Sequence, residues 1–256
     1  MAAREAPLFR QIADSLRSAI LSGEFTPGTQ LPSENDLKDR YGTTRVTVRK
    51  AIALLKADGL LISQQGKGVF VRPRPAVQML TTGANWRRRR ESGTANYNAE
   101  AAAQGLVAEQ QLLGVETLPA PAEIAERFEV PAGTPVIVRR LLFVVDEQPM
   151  QLVCAYYMAA RFAGTEVEQP RRIRGGVSRL VEDPVGPIRQ RFIQFVEDLE
   201  IRMPTPEEAE TLAVPPGVPV ARVFRTGHVA SGEIVEVLDS LVPCDRHVFR
   251  YVIDVP

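Results

Sequence analysis

Thr43–Gly59 reads TTRVTVRKAIALLKADG, and the fold turns on it. At helical period Val46, Ala53, Leu54 and Ala57, with Val48, Ile52 and Leu55 beside them, form an apolar side. Arg45, Thr47, Arg49 and Lys50 crowd polar donors into the first two turns. Thr43 or Thr44 can accept from the first free amides as N-cap, and Gly59 supplies the left-handed residue that ends a helix. The stretch predicts a helix of about 15 residues with its functional groups at the N-terminal end. A helix with Arg, Thr and Lys forward and aliphatics behind is suited to a DNA major groove. An ordinary amphipathic helix with a solvated basic face carries the same pattern, and the neighbouring segments separate the two.

Upstream, Pro7 opens a helix in which Ile12, Leu16, Ala19 and Ile20 recur at helical spacing, and Gly23 ends it. In GEFTPGTQLPSENDLKDRYG, Pro27-Gly28 is a turn and Ser33 with Asp36 resembles a capping box. The helix from Pro32 or Glu34 to Tyr41 is too short to stand alone, and Gly42 joins it tightly to the Thr43 helix, giving a helix-turn-helix. Downstream, LLISQQ and KGVFV are strand-like runs joined around Gly66-Lys67-Gly68. A small, basic, glycine-bearing tip can approach a backbone closely and suits a minor groove, so the hairpin reads as a wing.

These residues resemble the winged-helix domain of the GntR family of bacterial transcription regulators over about 65 residues: P-S-E, Y-G, T-V-R, A-L-L, D-G-L, Q-G-K-G and F-V all stand in order between Pro32 and Val71. The resemblance implies base and phosphate contacts from Thr44, Arg45, Thr47, Arg49, Gln65, Gly66, Lys67 and Gly68, with Glu34 on the second helix. Asn35 stands where many relatives carry Arg. Arg45 and Arg49 lie one turn apart, and an Arg fork can take the O6 and N7 edge of guanine, so these two are the expected principal readers.

Composition agrees with this division of labour. Residues 1–90 carry 16 Lys and Arg against 7 Asp and Glu, whereas residues 91–256 carry 15 against 24. A net charge of zero therefore conceals a basic front end on an acidic remainder. No apolar run is long enough to span a membrane and the N-terminus lacks an apolar signal core, which predicts a cytoplasmic protein. Cys154 and Cys244 read as buried thiols, and His228 and His247 stand alone, so neither a metal nor a cofactor is expected. Residues 1–75 are the expected DNA-binding domain and 76–95 a linker, in which Trp86 would anchor the chain to the second domain. Arg87 to Arg90 read as a solvated run or as a DNA-backbone contact.

Residues 96–256 read as that second domain. AEQQLLGVETLPA is a strand, PAEIAERFEV a short helix, and TPVIVRRLLFVVDEQPMQLVCAYYM a long hairpin turning at Asp146 to Pro149. TPEEAETLAV, VPVARVFRTGHV and IVEVLDSLVP repeat helix, strand and strand. The repeat predicts an antiparallel sheet with helices packed on it, an α+β domain. From about Arg88 to Val255 the landmarks V-R-R, D-x-x-P, R-M-P-T-P-E-E-A and G-E-x-V-E-V resemble the UTRA effector domain of the HutC subfamily, a chorismate lyase-like antiparallel α/β fold, with actinobacterial members nearest. Relatives that sense sugar phosphates place two Arg at the positions of Leu141 and Phe143 and a Glu at Val153. Gly176, Ser178 and Val242 replace further ligand residues, while the acidic Glu236 remains. Strand alternation puts Arg139, Leu141 and Phe143 on one face. The expected effector site is therefore Arg139, Leu141, Phe143, Val153 and Glu236, with Arg139 paired to Glu236 or to a ligand carboxylate. An apolar wall disfavours a sugar phosphate and favours an amphipathic ligand.

The resemblance implies a sequence-specific DNA-binding regulator, a repressor released from a palindromic operator by a small-molecule effector and working as a homodimer. A plasmid-maintenance or transfer repressor without an effector is the alternative. No Ser/His/Asp, Cys/His, phosphate-loop or metal constellation supports an enzyme.

Overall fold

The computed structural model describes residues 6–73, 79–80, 101–102 and 105–249. The chain forms two compact units, residues 1–76 with 214–218 and residues 77–213 with 219–256.

In the first unit α1 (Leu8–Leu21), α2 (Glu34–Arg40) and α3 (Arg45–Ala57) precede β1 (Leu61–Gln64) and β2 (Gly68–Val71). Ser33 caps α2 through a reciprocal box with Asp36, and Thr44 caps α3 by accepting from the Thr47 amide. Gly42, at φ 57°, makes the turn between the two helices. The buried stripe of α3 is Val48, Ala51, Ile52 and Leu55, which close on Ile12, Ala13 and Leu16 of α1 and Leu37 of α2. This corrects the stripe expected from sequence. Ala53 and Ala57 are exposed and Val46 is 63% exposed, because the core takes one i, i+3, i+4, i+7 set and Val46 lies off it.

The second unit is a six-stranded antiparallel sheet whose strands lie in the order Ala108–Pro119 (β4), Pro135–Val145 (β5), Gln148–Met158 (β6), Ile234–Pro243 (β9), Val220–Val229 (β8) and Phe192–Arg202 (β7). Its first half is β4 (Ala108–Pro119), α4 (Ala122–Arg127), β5 (Pro135–Val145) and β6 (Gln148–Met158). After α5 (Ala159–Phe162) and α6 (Gly176–Glu182), the second half follows as β7 (Phe192–Arg202), α7 (Pro206–Thr211), β8 (Val220–Val229) and β9 (Ile234–Pro243). Each half is strand, helix, hairpin, and the halves join where β6 pairs with β9. Even the turn strain repeats: Glu129 and Ala213 take positive φ at matching positions, as do Gly133 and Gly217. One sheet face is covered by Phe162, Val167, Ile173, Leu180, Val181 and Ile188 from the segment between the halves. The other packs against Ile124, Ala125 and Phe128 at α4.

Within residues 76–95, Met79–Leu80 forms β3 and runs parallel to β10 (His247–Val248). Trp86 and Arg87 to Arg90 lie outside the described residues. Among the described residues no helix is long and apolar enough to cross a membrane, and no cluster of His, Cys, Asp and Glu could hold a metal ion. Cys154 and Cys244 are free and half-buried, less enclosed than expected, and burial raises both thiol pKa values.

Candidate nucleic-acid interface and ligand cavity

The N-terminal turns of α3 present Arg45 and Arg49 to solvent four residues apart. Neither hangs free. Arg45 Nε donates to Asn35 Oδ1 at 2.6 Å, and Arg49 Nε donates to Glu34 Oε2 at 2.8 Å. Consecutive residues of α2 thus hold consecutive turns of α3. The Thr44 and Thr47 hydroxyls bond each other at 3.0 Å, which fixes the first turn and leaves acceptor capacity outward.

The wing is assembled as tightly. Lys67 N bonds Gln64 O at 3.0 Å around Gly66, whose φ of 72° the turn requires. Gln65, Gly66 and Lys67 are exposed, and no atom lies within 4 Å of where a Gly66 Cβ would sit. Gly68 is constrained twice: its φ is 119°, and a Cβ there would stand 2.8 Å from Gln30 Nε2, which donates to Lys67 O. The backbone of Gln30 bridges Phe70, so the wing has a third short edge.

In the second unit Arg139 and Leu141 come together in a cavity of about 40 Å³, with Gln110 and Leu112 from β4, Tyr157 from β6, and Arg172, Ile173, Gly176 and Val177 across from them. That is room for a few water molecules. Phe143 and Val153 instead pack into the sheet-face core and are not among the described lining residues. The expected pairing of Arg139 with Glu236 does not form. Arg139 is 3% exposed and donates to the carbonyls of Val167 (2.7 Å), Gln169 (2.8 Å) and Arg171 (2.7 Å). Its position on β5, two strands from Glu236 on β9, leaves those loop carbonyls as its partners, and burial lowers its pKa. Glu236 accepts from the Tyr157 hydroxyl at 3.0 Å. Burial raises the Glu236 pKa, partly offset by that bond and by Arg225, and burial raises Tyr157 well above its ordinary value.

Sequence reasoning missed Arg172. It lines the cavity and also borders a wider concavity of about 350 Å³ with Arg174 and Gly175. The signal was present as PRRIRGG, three arginines ahead of two glycines in a segment with no helical or strand period. The cavity therefore has a cation at its mouth, supplied by a loop rather than by the strand positions of Leu141 and Phe143.

Residues 8–71 match the model of bacterial regulatory proteins of the gntR family, and residues 103–248 match the UTRA domain. An HTH-type transcriptional regulator of Streptomyces coelicolor is 28% identical over 99% of this chain and 95% of its own. The HTH-type transcriptional repressor NagR of Bacillus subtilis is 25% identical over 97% of this chain and 95% of its own. A crystal structure of a GntR-family transcriptional regulator superposes with a TM-score of 0.71 at 27% identity, covering 98% of this chain and 99% of that one. PhnF from Mycobacterium smegmatis shares the fold, with a TM-score of 0.58 at 21% identity over 96% of this chain and 100% of its own. The two matches fall on the winged helix-turn-helix with its braced arginines and on the six-stranded sheet: the chain belongs to the GntR family and is a DNA-binding transcriptional regulator with a UTRA domain.

Proposed function

We propose that the protein is a cytoplasmic repressor that binds an inverted-repeat operator as a homodimer and leaves it when a small molecule occupies the UTRA domain. The observation that carries the DNA half is the pair of exposed arginines held by α2 at the start of α3. Residues 1–75 bind DNA through Glu34, Thr44, Arg45, Thr47, Arg49 and the wing residues Gln65 to Gly68. Residues 96–256 bind the effector and dimerise. NagR, similar along nearly its whole length, is named a repressor. One winged helix makes too few contacts for useful specificity, and two-fold symmetry doubles them. Strand β7 is a sheet edge that exposes apolar side chains on both its faces, Ile193, Val196, Leu199 and Ile201, so a second copy can pack along it.

The effector enters between β5 and the segment carrying Arg172 to Val177, with Leu141 as apolar wall and Arg172 as the cation for its polar end. A cavity of about 40 Å³ holds only a small part of a metabolite, so in this reading movement of that segment accompanies binding. The same small volume favours the second reading, a plasmid-maintenance or transfer repressor with no effector. Duplexes selected from a randomised pool by the full-length chain, then footprinted with and without small-molecule cell extract, separate the two. A two-fold footprint lost in extract is expected. A footprint indifferent to every extract leaves the effector-free repressor, and an unchanged footprint with Arg45 and Arg49 both replaced by Ala overturns the DNA reading.

A further inference from the structure

An arginine that reads a base has a choice of edges. Its guanidinium carries five N–H groups, and a bidentate contact can use the two terminal nitrogens end-on or Nε with one terminal nitrogen side-on. A free side chain samples both and loses that freedom on binding. In this protein the choice is made in advance, because Arg45 Nε already donates to Asn35 Oδ1 at 2.6 Å. We propose that Asn35 is a positioning residue for base recognition: its amide oxygen holds Arg45 so that Nη1 and Nη2 meet a guanine O6 and N7 end-on. The inference rests on α3 reading DNA.

Three observations support it. Asn35 is exposed on the second residue of α2, so its bond to Arg45 contributes little to the core and its value lies in what it orients. The adjacent residue does the same for the other reader, Glu34 Oε2 taking Arg49 Nε at 2.8 Å. The two braces also differ in charge. Glu34 forms an ion pair and offsets the charge that Arg49 brings to DNA, whereas the neutral amide of Asn35 orients Arg45 and leaves its charge whole. An acceptor is needed at position 35, and a neutral one keeps full attraction to the phosphate backbone.

The test uses the full-length chain and a duplex it selects from a randomised pool. The base pair read by Arg45 is the one at which Arg45→Ala loses discrimination. Affinity is then measured for that duplex and for the same duplex with 7-deazaguanine at that position, which removes the N7 acceptor. Asn35→Ala should weaken binding about threefold to tenfold, the cost of ordering one rotamer-rich side chain, and should shrink the penalty for 7-deazaguanine. In an Arg45→Ala background the same change should cost nothing further, since its whole effect passes through Arg45. Asn35→Asp keeps the acceptor, so it should keep the 7-deazaguanine penalty while binding every duplex more weakly. Equal discrimination by Asn35→Ala and wild type overturns the inference, and so does an additive loss in the Arg45→Ala background, which would mean that Asn35 touches DNA itself. If wild type selects no sequence, the DNA reading fails and the inference with it.

Discussion

Arg45 and Arg49 in the first unit and Arg139 and Arg246 in the second are the same side chain put to opposite uses. The first two are exposed, each with Nε held by a neighbouring helix and its terminal nitrogens left for a partner from outside. The second two are each 3% exposed and spend their terminal nitrogens on the protein's own backbone. Arg139 gathers the carbonyls of Val167, Gln169 and Arg171, and Arg246 those of Pro149, Leu212 and Ala213. Burial lowers the pKa of both. A guanidinium whose terminal nitrogens are met inside is a fastener, and one that is aimed but unfilled is a reader.

That comparison breaks if a fastener proves dispensable. Arg139→Ala leaves the carbonyls of Val167, Gln169 and Arg171 without their donor; Val167 is buried, and an acceptor left unsatisfied there is costly. We expect the UTRA unit to lose about 3–5 kcal/mol in denaturant unfolding, with Arg139→Lys recovering only part because an ammonium cannot span the same fork. Retention of full stability by Arg139→Ala would mean that the guanidinium is held for a ligand after all.

The next effect is read against pH. His247 is buried, with Nδ1 at 3.1 Å from Pro243 O and Arg246 beside it, and burial depresses its pKa to about 4 from the ordinary 6.5. Its contribution is present above 6.5 and is lost as pH falls through about 4, a span worth about 3 kcal/mol. Glu236, facing Tyr157 and Arg225, is shifted the other way, so its contribution is intact below the ordinary carboxylate range and is lost as pH rises through its raised value. Thermal unfolding from pH 4 to 8 should flatten on the acid side in His247→Gln and on the alkaline side in Glu236→Gln. Parallel profiles for wild type and either variant would remove that group from the account.

How far the two units were legible depends on the range of the interactions that shape them. The helix-turn-helix and wing are set by caps and turns a few residues long, so Ser33, Thr44, Gly42 and Gly66 could be read directly. The internal repeat gave five of the six strands. It would have given β7 too, since the spacing that maps Val136 onto Val220 also maps Ala108 onto Phe192. A register shift between Phe192 and Gln194 and exposed apolar side chains on the edge hid the alternation of β7. The cavity was less legible. Arg139 and Leu141 follow from alternation along β5, but Arg172 is brought to them by a segment with no period, fastened by the donors of Arg139 itself.

The readers should behave in the reverse manner to the fasteners. Arg45→Ala or Arg49→Ala should leave unfolding unchanged and cost about 1–3 kcal/mol in operator binding, with base preference relaxed at one position each. A drop in melting temperature comparable to that of Arg139→Ala would erase the distinction.

The smallest effect sharpens the comparison within the DNA-binding unit. Lys67 stands at the wing tip between Gly66 and Gly68, with its carbonyl held by Gln30 Nε2 at 2.7 Å, so the backbone is fixed while the ammonium is exposed. Unlike Arg45 and Arg49, it has no neighbour orienting it among the described residues, and an unoriented ammonium is a point charge without a base-reading geometry. Lys67→Ala should therefore weaken binding to all duplexes alike and reduce the slope of log affinity against log salt by about 1, the signature of one lost phosphate contact. A change in base preference instead, seen by repeating the pool selection with the variant, would show that the wing reads sequence as α3 does.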